Sequence, residues 1–103
     1  MENLIFLALR RLTQELYYFT TSAGYEVDFY LPAHRQLIQV AQNLDQPATR
    51  EREVRAMSAA LRELKLARGL ILSERSAPII QEHGLTIEIR SAAEWLASAG
   101  VNT

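Results

Sequence analysis

The sequence predicts an α/β domain: a mixed sheet of about four to five strands flanked by helices, in the order αβββαββα. Three observations predict it. Apolar residues recur at helical spacing near the start, in the middle and near the end of the chain. Between the first two helical segments, three short runs rich in β-formers are separated by turn signals. A three-strand meander followed by a crossover helix and another strand needs both antiparallel and parallel neighbours, which makes the sheet mixed and places helices on it. With 103 residues, 49% of them apolar, the chain suffices for one domain, residues 1–103, with one modest core.

The first helix is expected from Glu2 to about Thr13, where Leu4, Ile5, Ala8, Leu9 and Leu12 recur at helical spacing. Phe6 and Leu7 widen its apolar surface beyond one stripe, so it is buried on more than one side or contacts something outside the chain. Leu16-Tyr-Tyr-Phe-Thr20 is too short for a helix and reads as a strand. Thr21-Ser-Ala-Gly24 is a turn, and Tyr25 to Leu31 alternates as the second strand of a hairpin. There Val27, Phe29 and Leu31 are expected on one face, with Glu26, Asp28 and Tyr30 on the other. Pro32 to Gln36 is a second turn. Leu37 to Ala41 is a third strand, with Ile38 and Val40 on one face and Leu37, Gln39 and Ala41 on the other.

Asp45, Pro47 and Thr49 mark the start of a long helix without singling out its cap. Val54, Met57, Leu61 and Leu64 form its apolar stripe to about Leu66, and Gly69 is the expected stop. Leu70 to Ser73 is a short buried strand. Glu74 to Gly84 reads as a polar loop holding at most a brief strand at Ile79 and Ile80, and Leu85 to Arg90 alternates as the last strand. Ser91 caps a final helix, with Glu94 three residues on as a capping box and Trp95 as a core anchor.

Composition excludes several functions. The net charge is -1 and the pI about 6.1, so no overall basic field draws nucleic acid to the chain. There is no cysteine, which removes disulfides, thiolate metal sites and cysteine nucleophiles together and fits a cytoplasmic location. No apolar run is long enough to span a bilayer, and Glu2 ahead of Arg10 and Arg11 reverses the charge order of a secretory signal. His34 and His83 lie far apart in turns and make no zinc spacing. Thr49 to Arg55 alternates charge sign, with Glu51 and Arg55 at i,i+4 spacing, the pattern of a solvated, self-paired helix face. No Gly-rich loop opens a helix, so no phosphate cradle or P-loop is present.

The most informative stretch is Gly24-Tyr-Glu-Val-Asp-Phe29 followed by Leu37-Ile-Gln-Val-Ala41. With Glu2-Asn-Leu-Ile5 before it and Thr49-Arg-Glu-Arg-Glu-Val54 after it, this order resembles the C-terminal domain of a family of bacterial and archaeal P-loop ATPases of the AAA type. That domain, of unknown function, is similar to the restriction-endonuclease-like fold of the PD-(D/E)xK superfamily. The resemblance runs from about Glu2 to Leu96. It implies a nuclease-like domain that normally follows an ATPase domain absent from this sequence, and a start inside the family's first helix of the domain.

The resemblance also implies a site. Asp28 takes the first acidic position, Glu2 the helix glutamate, Gln39 the place of the second acid and Ala41 the place of the lysine. Such nucleases converge carboxylates on magnesium, a hard cation that polarises the phosphate and activates water. A lysine two residues after the second acid offsets the developing charge. Gln39 supplies no negative charge and Ala41 supplies nothing. Lys65 is the only lysine and lies on a different segment, while Arg35 and Arg50 are off the strand. These four positions are therefore expected to be vestigial, with Asp28 and Glu26 as residual metal candidates, no cofactor and no catalysis. Without the resemblance, Glu26 and Asp28 read as the solvated side of a strand.

The expected role is a non-catalytic interaction module that meets a protein partner or a second copy through its N-terminal apolar helix. One alternative is nucleic-acid binding without cleavage, using some of the ten arginines. The other is a metal-dependent nuclease with relocated residues, drawing a second acid from Glu26 or Glu2.

Overall fold

A computed structural model describes residues 2–101, with side chains described through residue 98. The elements are α1 (Glu2–Leu12), β1 (Tyr17–Thr20), β2 (Glu26–Leu31), β3 (Gln36–Val40), α2 (Pro47–Leu64), β4 (Arg68–Ser73), β5 (Ala77–Glu82), β6 (Leu85–Ser91) and α3 (Ala92–Val101). A single 3-10 turn, Pro32–His34, joins β2 to β3. The six strands form one mixed sheet in the order β1-β2-β3-β4-β6-β5. The pairs β3/β4 and β4/β6 are parallel, and the other three are antiparallel.

The expected α/β class and mixed sheet are present, with six strands rather than four or five. The additional strand is β5, where a polar loop was expected. Its solvent-facing residues and Pro78 hide the strand in a hydropathy reading. As the edge of the sheet it buries little, and a proline is tolerated there. The two-residue turn His83-Gly84, both at positive φ, folds it back onto β6.

Helices cover both faces of the sheet. On one face Ile5 and Leu9 of α1 and Ala92 and Trp95 of α3 pack on Phe29, Leu31, Ile38, Leu70 and Leu72. On the other, Met57, Ala60 and Leu61 of α2 pack on Val27, Leu37, Ile71, Ile87 and Ile89. β4 lies between these layers and is buried from Gly69 to Ser73. This explains its unbroken apolar run: a strand covered on both faces does not alternate. Among the described residues no helix is long and apolar enough to cross a membrane.

Two expectations need correction. Val27 does not share a face with Phe29 and Leu31. Tyr17 pairs with Tyr30 and Phe19 with Val27, so Asp28 and Phe29 together oppose the single Tyr18. This bulge reverses the alternation, turning Val27 toward α2 and Phe29 toward α1 and α3. Nor does Gly69 stop α2. The helix ends at Lys65, which adopts the left-handed conformation at φ 58, and Leu66 N–H closes on Leu61 C=O at 2.8 Å.

Gly69 serves a different purpose. It lies in β4 under α2, and a Cβ there would sit 2.5 Å from Met57 Sδ and 3.3 Å from Leu61 Cδ1. The absent side chain lets helix and strand approach. Gly69→Ala should therefore destabilise the fold by about 1–3 kcal/mol, the usual cost of overpacking. Urea denaturation checks this, and an unchanged midpoint would show that Met57 yields freely.

A candidate site at the opened β2/β3 pair

The β1–β2 hairpin that carries Asp28 is fixed at its turn. Thr21 N–H donates to Tyr25 C=O at 2.8 Å, Gly24 takes φ +93, and Tyr25 N–H donates to Thr21 Oγ1 at 2.9 Å. Ser22 ties the turn to α2, donating from N–H and Oγ to Glu63 Oε1, each at 2.9 Å. β2 then runs beside β3 in regular register through the pair Phe29–Ile38.

Beyond that pair, side chains take over from the backbone ladder. Val40 N–H donates to Asp28 Oδ2 at 2.9 Å. Asp28 N–H donates to Gln39 Oε1 at 2.8 Å. Each strand thus has a backbone donor satisfied by a side chain of the other. Gln39 Nε2 continues the chain of bonds to Glu53 Oε1 on α2, at 2.9 Å.

The electrostatics follow from this placement. Asp28 is half-buried, and loss of water is the main reason its carboxyl rises from the ordinary 3.8 to about 6. The Val40 hydrogen bond opposes that shift, and the negative charges of Glu2, Glu53 and Glu26 add to it. Tyr18, on β1, donates its hydroxyl to Glu26. That bond, with smaller contributions from burial and from the charges of Glu26 and Asp28, pushes the phenol up to about 12.

The structure brings Glu2, Glu26, Asp28 and Gln39 to one neighbourhood. Ala41 is 6% exposed and packs in the core with Leu44 and Met57. Arg35 donates to the carbonyl of Lys65 at 3.3 Å, while Arg50 lines cavities beside α2, so neither stands in for a lysine at Asp28. The charges of Glu2, Glu53 and Glu26 that act on Asp28 are all negative. Among the described residues no three His, Asp or Glu side chains are placed to hold a metal ion. Chemically, the arrangement can bind and release a proton near pH 6 at Asp28. Gln39 has already committed both its oxygen and its nitrogen.

Glu53 escaped the sequence reading because residues 49–55 read as a solvated face. Glu51 and Arg55 do pair there, at 2.5 Å. Glu53, however, lies four residues before the buried Met57, on the helix side turned to the sheet. That i,i+4 relation to a core residue was the available signal.

A second cavity, of about 340 Å³, lies where the parallel strands β3 and β4 end, and is lined by Asn43, Asp45, Arg50, Ser73, Glu74 and Arg75 among others. Open α/β sheets commonly bind ligands outside the carboxyl ends of their strands. Here two acids balance two arginines, and Glu74 already accepts from Asn43 N–H at 3.1 Å and Ser73 Oγ at 2.9 Å. The Ser73 bond is the main reason its carboxyl lies below the ordinary value.

No family model matches the chain, and no solved structure matches it significantly. It is similar to uncharacterized protein MJ1544 of Methanocaldococcus jannaschii, with 39% identity over 70 residues. The match covers 64% of this chain and 16% of that protein, so the chain spans a small part of this relative's length.

The raised Asp28 carboxyl gives a pH dependence of known sign. Between about pH 4 and 6 the folded chain holds a proton that the unfolded chain has released. The stability from this group is fully present below 3.8 and is lost as pH rises through about 6. Asp28→Asn keeps an oxygen for Val40 N–H but cannot ionise. Its stability relative to the parent should grow from pH 4 to pH 7, then level off. Urea titrations at several pH values check this, and a constant difference would refute it.

Proposed function

We propose that this chain is a non-catalytic interaction module: a degenerate nuclease-like domain of the PD-(D/E)xK kind that normally follows an ATPase domain. The carrying observation is the reciprocal bonding of Asp28 and Gln39. Both side chains satisfy backbone donors where a nuclease would turn them on a metal. The alanine at position 41 adds to this, because its side chain points into the packed core, where a lysine would bury an unpaired charge at a cost of several kcal/mol. A match to 16% of a longer relative fits a domain that works as part of a larger protein.

The module's contact surface, in this reading, is α1. Ile5 and Leu9 are buried against the sheet, but Leu4, Leu7 and Leu12 remain 59%, 52% and 57% exposed, and Phe6 40%. Apolar side chains clustered on one short helix are characteristic of an interface. The partner is a second copy or a neighbouring protein. A second copy in antiparallel orientation brings Glu2 toward the Arg10 end of its mate, a self-complementary arrangement suited to two-fold symmetry.

Two experiments test the proposal. Incubation with duplex DNA and Mg²⁺ or Mn²⁺ should give no more cleavage than Asp28→Ala gives. Magnesium-dependent cleavage that disappears in Asp28→Ala would establish the nuclease instead. Leu4→Glu combined with Leu7→Glu should lower the sedimenting mass toward the monomer while the helical circular dichroism is retained. A parent chain that is monomeric at high concentration would eliminate the second copy as partner.

A further inference from the structure

α2 packs over β2, β3, β4 and β6, and covers the edge strand β5 less. Between α2 and β5 lies an open groove of about 560 Å³. Val54 of α2 and Ile80 of β5, both half-buried and packed on the core, form its apolar floor. Arginines stand along its helix side. Arg55 is paired with Glu51, but Arg50 and Arg62 have no ion pair or side-chain hydrogen bond among the described residues. His83 also lines it.

We propose that this groove docks an extended, acidic peptide segment of a partner protein. Arg50 and Arg62 are twelve residues apart on one helix, which places them about 18 Å apart along its axis. An extended chain covers that distance in about six residues at roughly 3.3 Å each. Acidic side chains six positions apart meet the two free guanidiniums, and the apolar side chains between them, on the same side of the strand, meet Val54 and Ile80. The outer edge of β5 is less suited to docking. Pro78 lacks an N–H, and the register shift between Ala77 and Ile80 disrupts the strand that an added peptide would pair with.

Charge placement favours a peptide over a nucleic-acid strand. Glu51 and Glu82 also line the groove, and a continuous phosphate backbone would run past them. A peptide can place its charges only at the two ends. The groove shares no residue with α1, Asp28, Gln39 or Glu53, so this proposal stands or fails independently of the readings above.

The probe is an end-blocked, fluorescent heptapeptide, Glu-Ser-Leu-Ser-Leu-Ser-Glu, read by anisotropy with the full chain. Binding should weaken at least five-fold in Arg50→Glu and in Arg62→Ala, and also when both leucines of the peptide are replaced by serine. Glutamate at position 50 suits the first turn of a helix, so that variant should remain folded. Circular dichroism confirms this for both. The proposal is overturned if the peptide does not bind, if either variant binds it as the parent does, or if a lysine-ended peptide binds equally well. It is also overturned if an oligothymidine of similar length binds more tightly, which would assign the groove to nucleic acid.

Discussion

A buried backbone N–H that has lost its ladder partner must find another acceptor or destabilise the fold. Such a demand arises where β2 and β3 part, beside the bulge at Asp28 and Phe29. Asp28 and Gln39 meet it reciprocally: Asp28 Oδ2 accepts from Val40 N–H, and Gln39 Oε1 accepts from Asp28 N–H. The same bulge sends Val27 to one core layer and Phe29 with Leu31 to the other, so the hairpin serves both faces of the sheet. The site and the packing therefore meet in the same few residues of β2. A change at Asp28 acts on chemistry and architecture together.

This coupling explains why the acidic cluster is electrically uncomfortable yet retained. Asp28 is pushed toward its neutral form by burial and by three neighbouring carboxylates, with one backbone N–H as compensation. Gln39, a neutral amide, adds no further negative charge next to it and supplies an amide nitrogen for Glu53. A neutral residue that donates and accepts is the better structural choice at that position. Through these bonds the two side chains hold two strands and a helix together.

The layers are unevenly covered. Two helices lie on one face of the six-stranded sheet, and α2 alone lies on the other. α2 reaches the sheet closely because Gly69 admits Met57, but one helix cannot cover six strands, and β5 lies at the margin of its cover. α1, by contrast, carries more apolar surface than its place on the sheet consumes. The exposed side of α1 and the groove along α2 arise from the same shortage of covering elements, at different places on the molecule.

Sequence alone determined the α/β class, every helix, five of the strands, the turn at Gly24 and the cap at Ser91, whose Oγ accepts from Glu94 N–H at 3.2 Å. These are local features: periodicity, turn chemistry and caps are written within a few residues of where they act. It also singled out Glu2, Glu26, Asp28 and Gln39, which the fold does gather, while Ala41 proved to face the core. Only the tertiary structure decided the rest. β5 is a strand because β6 pairs with it, and its own residues are mostly solvated. Val27 changes face because β1 offers one residue against two. Gly69 is required by Met57, twelve residues earlier and on another element. Glu53 joins Gln39 because α2 crosses β3 at that point. Each of these depends on a partner distant in sequence, and no local pattern encodes which partner the packing will supply. The pair Asp28 and Gln39 spans both cases, since its positions were legible in the chain and its bonds were set by where the two strands part.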